Sequence, residues 1–122
     1  MAKLDELIRE IQNELGADFL YMSIVGSDGL PIAGMSVVDV NTDAVAARYT
    51  LVTKLASKLS EKLNLGDIDD NLISVDNAYV LMEMLGDESY FVVLALSKEA
   101  PLGVARMLLK EYAGQIWDAI PR

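Results

Sequence analysis

Apolar residues recur at Leu4, Leu7, Ile8, Ile11 and Leu15 with charges between them, a spacing that predicts an amphipathic helix stopped by Gly16. The pattern then changes. An apolar run over residues 19–25 meets Gly26-Ser27-Asp28-Gly29, and a second short run, Ile32-Ala33, follows. Two runs joined by Asp-Gly predict a β-hairpin, because glycine takes the positive φ that tight turns need. Pro31 has no N–H to donate, which places the returning strand at a sheet edge. From Asn41 or Thr42, either able to cap, to about Asn64 the pattern is helical again, ending at Leu65-Gly66. Residues 68–75, 79–85 and 90–96 read as three strands in an antiparallel meander. A last helix runs from about Pro101 to near Pro121, with apolar positions Leu102, Ala105, Leu109, Tyr112, Ile116 and Ala119.

These elements order themselves. The run 90–96 carries no charge on either face, so it belongs at the centre, covered by helices on both sides. The strand from Ile68 starts with Asp69, Asp70 and Asn71 and suits the edge opposite Pro31. The expected architecture is α+β, α-β-β-α-β-β-β-α, with an antiparallel five-stranded sheet in the order 2-1-5-4-3. The long helix covers one face and the two terminal helices the other.

The long helix offers two stripes. Val45, Tyr49, Val52, Ala56, Leu59 and Leu63 are expected to face the sheet, with Ala44, Leu51 and Leu55 widening the apolar arc. Ala46, Thr50, Thr53 and Ser57 line the opposite side. Thr and Ser are poorer helix formers than Lys or Glu, so a merely solvated face has little reason to use them. Small side chains also let a partner approach closely. The edge strand adds unpaired backbone groups that can pair with another chain. The candidate interface is therefore Ala46, Thr50, Leu51, Thr53, Lys54 and Ser57 on the helix, with Leu72, Ile73, Ser74 and Val75 on the edge strand. A twofold mate would satisfy both surfaces at once.

Composition narrows the chemistry. A chain of 122 residues, 52% hydrophobic and 24% charged, reads as one globular domain spanning 1–122. A net charge of −9 argues against nucleic acid and anionic membrane surfaces as partners. With no cysteine and no histidine, disulfides, thiolate and Ser-His-Asp catalysis and the usual zinc sites are excluded. No apolar run spans a bilayer and no signal-peptide pattern opens the chain, so a cytoplasmic location is expected. Asp39 to Asp43 imitates the start of a calcium loop, but Ala44 stands where the turn needs glycine and Thr50 where the bidentate glutamate belongs. Asp67, Asp69, Asp70 and Glu61 read as a solvated edge rather than a cation site. Arg48 reads as an ion-pairing or snorkelling residue rather than an arginine finger, and Tyr112 and Trp117 as core. No catalytic constellation and no cofactor site emerges.

The run Val25-Gly-Ser-Asp-Gly-Leu-Pro-Ile-Ala33, between an amphipathic helix and a long helix, resembles the roadblock/dynein light-chain family. Met84-Leu-Gly-Asp-Glu-Ser-Tyr-Phe-Val-Val93 and Leu102-Gly-Val-Ala-Arg106 fit as well, so the resemblance covers nearly the whole chain. It implies a five-stranded antiparallel sheet between helices and no chemistry of its own. It also implies a homodimer through the long helix and third strand, and a role in regulating or scaffolding a Ras-like small GTPase. The competing class is a small-molecule sensor of the longin, PAS or profilin-like type, which would need a pocket with convergent polar groups.

Overall fold

Strand β5 (Tyr90–Ser97) lies at the centre of a five-stranded antiparallel sheet, as its lack of charge demands. Phe91 and Val93 are buried on one face, and Val92, Leu94 and Leu96 on the other. Only a strand covered on both sides can be apolar on both. The computed structural model describes Ala2 to Arg122. In it β1 (Phe19–Gly26) and β4 (Ala78–Leu85) flank β5, while β2 (Pro31–Ser36) and β3 (Asp70–Val75) form the edges. The order is β2-β1-β5-β4-β3, as expected. Helices α1 (Ala2–Leu15) and α3 (Leu102–Ala119) pack on one face, burying Leu4, Ile11, Leu109 and Ile116 against Met22, Ile24 and Leu94. Helix α2 (Thr42–Leu63) covers the other face, against Tyr21, Val25, Met82, Phe91 and Val93.

The β1–β2 turn is built as its sequence dictates. The Gly29 N–H donates to the Gly26 carbonyl at 2.9 Å, and the Leu30 N–H to Asp28 Oδ1 at 3.1 Å. Gly29 has φ +89°, a conformation that costs any residue with a Cβ. An added Cβ would meet only ordinary contacts, at 3.8 Å from Ala47 Cα and Thr50 Oγ1. The penalty for Gly29→Val is therefore conformational, and thermal unfolding should show a loss of about 1 kcal/mol or more. An unchanged midpoint would contradict the turn geometry. Pro31 opens the edge strand, where its missing N–H costs no ladder bond.

Helix α2 is capped at both ends. Asn41 Oδ1 accepts from the Ala44 N–H at 3.1 Å, and Asn64 takes a left-handed φ of +53°. The Leu65 N–H reaches the Ser60 carbonyl at 3.1 Å, closing a Schellman-type end before Gly66.

The face of α2 turned to the sheet corrects the expectation from sequence. Ala46, Tyr49, Thr50 and Thr53 are its buried residues. Of the stripe expected to face inward, only Tyr49 is buried; Val45 and Ala56 are half-buried, and Val52, Leu59 and Leu63 are exposed. The physical reason lies across the interface. The sheet already presents Tyr21, Met82 and Phe91 there, so the helix can come close only with small side chains. The threonines bury without orphaning their hydroxyls. Thr50 Oγ1 donates to the Ala46 carbonyl and Thr53 Oγ1 to the Thr50 carbonyl, each at 2.8 Å.

Strand β3 starts at Asp70 rather than Ile68. The Asp69 carbonyl still accepts from the Met84 N–H at 2.9 Å, while Ile68 turns toward the core under α2. Asp70 meets Arg106 of α3 at 3.4 Å. Among the described residues no group of three acids is placed to hold a metal ion. Opposite Asp70 on β4, Glu83 is buried and accepts from Lys110 Nζ at 3.0 Å.

Burial raises the Glu83 carboxyl above its usual range, and the Lys110 hydrogen bond and charge pull it down without cancelling that rise; Asp70 and Asp69 nearby raise it further. Glu83 thus holds its proton more tightly folded than unfolded. Its contribution to stability is fullest below the unfolded carboxyl pKa and falls as pH rises through the folded one. Glu83→Gln cannot ionise but still accepts from Lys110, so it should gain on the parent as pH rises from about 4 to about 7. Urea midpoints across that range check this; a variant that loses ground would mean that the pair outweighs desolvation.

Candidate interaction surface

Turning the small residues inward leaves the leucines outside. Leu51, Leu55, Leu59 and Leu63 form an i, i+4 row along α2 and are 63%, 68%, 60% and 56% exposed, with Val52 beside them. No residue of α2 after Thr53 is buried, so residues 54–63 run alongside the β1–β2 and β4–β5 turns with little cover. A single chain rarely leaves such a row in water.

Helical phase separates two flanks. Val52, Ala56 and Leu63 lie on the same side as Tyr49, whose hydroxyl donates to Asn71 Oδ1 of β3 at 2.6 Å. Burial pushes that hydroxyl up to about 12, so it stays a neutral donor. This flank leads to the β3 edge. There Leu72 and Ile73 are half-buried, Ser74 and Val75 are exposed, and Asn71 Nδ2 is buried without a hydrogen-bond partner. Ser74 Oγ accepts from Lys98 Nζ.

The other flank carries Lys54 and Lys58. It borders a groove of about 360 Å³ between α2 and the two turns. Thr50, Thr53 and Ser57 form its helix wall, Met84 and Phe91 its floor, and Ser27 and Glu88 its turn side. Glu61 faces the same groove.

Of the ten residues expected at an interface, Leu51 and Lys54 are exposed on α2, and Ser57 opens on the groove. Ala46, Thr50 and Thr53 lie under the helix, so they cannot be its outer contact surface. Hydrophobic periodicity ranks Leu59 and Leu63 as core, and the structure puts them outside. The signal that could have reassigned them is the unbroken i, i+4 leucine row, facing away from a stripe whose polar members can bond back to their own helix. Arg48 is exposed and forms no ion pair among the described residues. Tyr112 and Trp117 pack, half-buried, against the core of α1 and α3 as expected.

The Roadblock/LC7 domain profile matches residues 3–95, and that span takes in the glycine hairpin, the long helix and the whole sheet up to β5. The chain belongs to the roadblock/LC7 domain family. Solved structures agree in fold. MglB of Myxococcus xanthus is 12% identical, with 97% of this chain and 94% of that one covered at a TM-score of 0.89. The gliding protein MglB of Thermus thermophilus is 16% identical, with 96% and 87% covered and a TM-score of 0.86. A Roadblock/LC7 domain from Streptomyces avermitilis, 16% identical, covers 92% and 96% at 0.78. No curated protein sequence matches the chain. At these identities the likeness is one of fold. As a roadblock domain the chain joins a family that is generally non-catalytic. Among its described residues no helix is long and apolar enough to cross a membrane.

Proposed function

We propose that this roadblock protein is a homodimeric, non-catalytic platform in the cytoplasm that binds a Ras-like small GTPase and regulates or scaffolds it. The observation that carries the reading is the exposed leucine row of α2 beside the open edge of β3. In a twofold pair, β3 meets its mate, and the flank with Val52, Ala56 and Leu63 packs on the mate's helix. The edge gains backbone partners, and Asn71 Nδ2 gains an acceptor within reach. Leu51 and Leu55, farther from that seam, remain on the outward side of the paired helices for a partner.

Self-association also fits the relatives of the fold, among them MglB, MglC and an MglB with tetrameric arrangement, and the GTPase-linked role is the one the family resemblance implies. Sedimentation equilibrium tests the platform: a species of twice the chain mass of 13.3 kDa is expected at micromolar concentration. A monomer there defeats it. With the dimer in hand, titration with Ras-like GTPases of the same cell, loaded with GTP or GDP, should show binding and a change in hydrolysis or exchange rate. Absence of binding to any of them removes the GTPase.

A further inference from the structure

Charge is not spread evenly over this molecule. The chain carries −9 overall, yet α2 holds Arg48, Lys54, Lys58 and Lys62 against Asp43 and Glu61. Asp43 sits in the first turn, and Glu61 is turned to the groove. The outward side of α2 is therefore basic, and among the described residues none of its four cations is in an ion pair. Lys54, Lys58 and Lys62 stand at i, i+4 and i+8, a spacing at which like charges repel and weaken a helix. Leu51 and Leu55 are exposed among them.

We propose that this side of α2 receives an acidic protein surface, with an apolar side chain of that partner entering the groove beside Lys54 and Lys58. The proposal names the partner's chemistry on the platform described above and rests on the dimer leaving that flank free. Carboxylates on the partner neutralise the lysine row, and its apolar residues cover Leu51 and Leu55. The groove has an apolar floor in Met84 and Phe91. Glu61 at the end of its α2 wall and Glu88 on its turn side repel phosphate or a second carboxylate inside it. An apolar side chain fits it, with the partner's acids over the row Lys54, Lys58 and Lys62 outside the groove. The apolar floor between the two glutamates favours a protein face, which brings an apolar side chain with its acids, over a nucleic acid or a lipid surface, whose phosphates would crowd the glutamates.

The test uses the dimer of the 122-residue chain and two synthetic helical peptides of leucine with glutamate, or leucine with lysine, in matched patterns. The acidic peptide is expected to bind, to shift the amide resonances of Lys54, Ser57, Lys58 and Phe91, and to weaken as salt is added. The basic peptide should not bind. Lys54→Glu with Lys58→Glu should weaken the acidic peptide about tenfold or more, with the dimer intact by sedimentation. Lys54→Ala with Lys58→Ala should give a smaller loss of the same sign. Equal binding of both peptides, no binding of the acidic one, or no effect of the double variants overturns the proposal. Binding confined to vesicles containing phosphatidylserine overturns it too, and makes the face a membrane surface. A dimer that binds the acidic peptide but no Ras-like GTPase keeps this proposal and discards the GTPase.

Discussion

Gly86→Ala is expected to cost about 2–4 kcal/mol of stability, the largest loss from adding a Cβ at any glycine of this chain. Gly86 sits in the β4–β5 turn with φ +52°, a region that already costs a residue with a Cβ about 1 kcal/mol. The greater part is steric. A Cβ built there would lie 2.3 Å from two carbons of the Trp117 indole, far inside any real contact. The indole cannot step aside cheaply. Arg122 stacks over it at 4.0 Å, and the Tyr90 ring meets it edge-on at a centroid distance of 6.4 Å. Urea unfolding of Gly86→Ala measures the loss. Repeating the substitution in a Trp117→Ala background should leave only the conformational part, about 1 kcal/mol. Equal losses in both backgrounds would show that the indole is not the obstacle.

That contact was not legible in the sequence, because Gly86 and Trp117 meet only once α3 has docked on the sheet. The legible features are local ones: the chargeless β5 at the centre, Pro31 at an edge, Asp28-Gly29 in the turn, Asn41 before the long helix. These follow from each residue's own geometry or from the period of its neighbours. The face of α2 does not. Its two stripes are both periodic, and hydrophobicity alone ranks Val52, Leu59 and Leu63 as the inner one. Which stripe goes inside is decided by the bulk of Tyr21, Met82 and Phe91 across the gap, and by the ability of Thr50 and Thr53 to satisfy themselves. An apolar stripe left exposed on the single chain looks, in one sequence, like a core stripe. Of the helix residues in the interface expectation, Ala46, Thr50 and Thr53 lie between helix and sheet, while Leu51 and Lys54 are exposed.

Two pairs of substitutions on α2 separate its faces. Leu59→Glu with Leu63→Glu is expected to produce a folded monomer, because both side chains are exposed in the single chain and only the mate would lose contact. The dimer should weaken by about a hundredfold or more, some 3 kcal/mol, from the loss of anchors and the facing of like charges across the twofold. Far-UV circular dichroism should be unchanged, and sedimentation should give one chain mass. Thr50→Glu with Thr53→Arg should do the reverse. Both positions are buried between helix and sheet, so the pair brings two long charged side chains into a tightly packed layer. A loss of about 3–5 kcal/mol, enough to unfold a marginal domain, is expected there. If the threonine pair instead left a stable monomer, the helix would have to sit the other way round. If the leucine pair left the dimer untouched, the seam would lie elsewhere.

The packing of α1 and α3 on one face of the sheet, with α2 on the other, has a practical side. Ala2 begins α1 and Arg122 follows α3, and both helices sit on the sheet face opposite α2. Ala2, Lys3, Pro121 and Arg122 are exposed. A fluorescent reporter, a biotin tag or a surface tether joined at Arg122 would therefore hang from the back of the molecule. Immobilised that way, the protein presents its leucine and lysine rows to solution, and binding measured on a chip reads the face that matters.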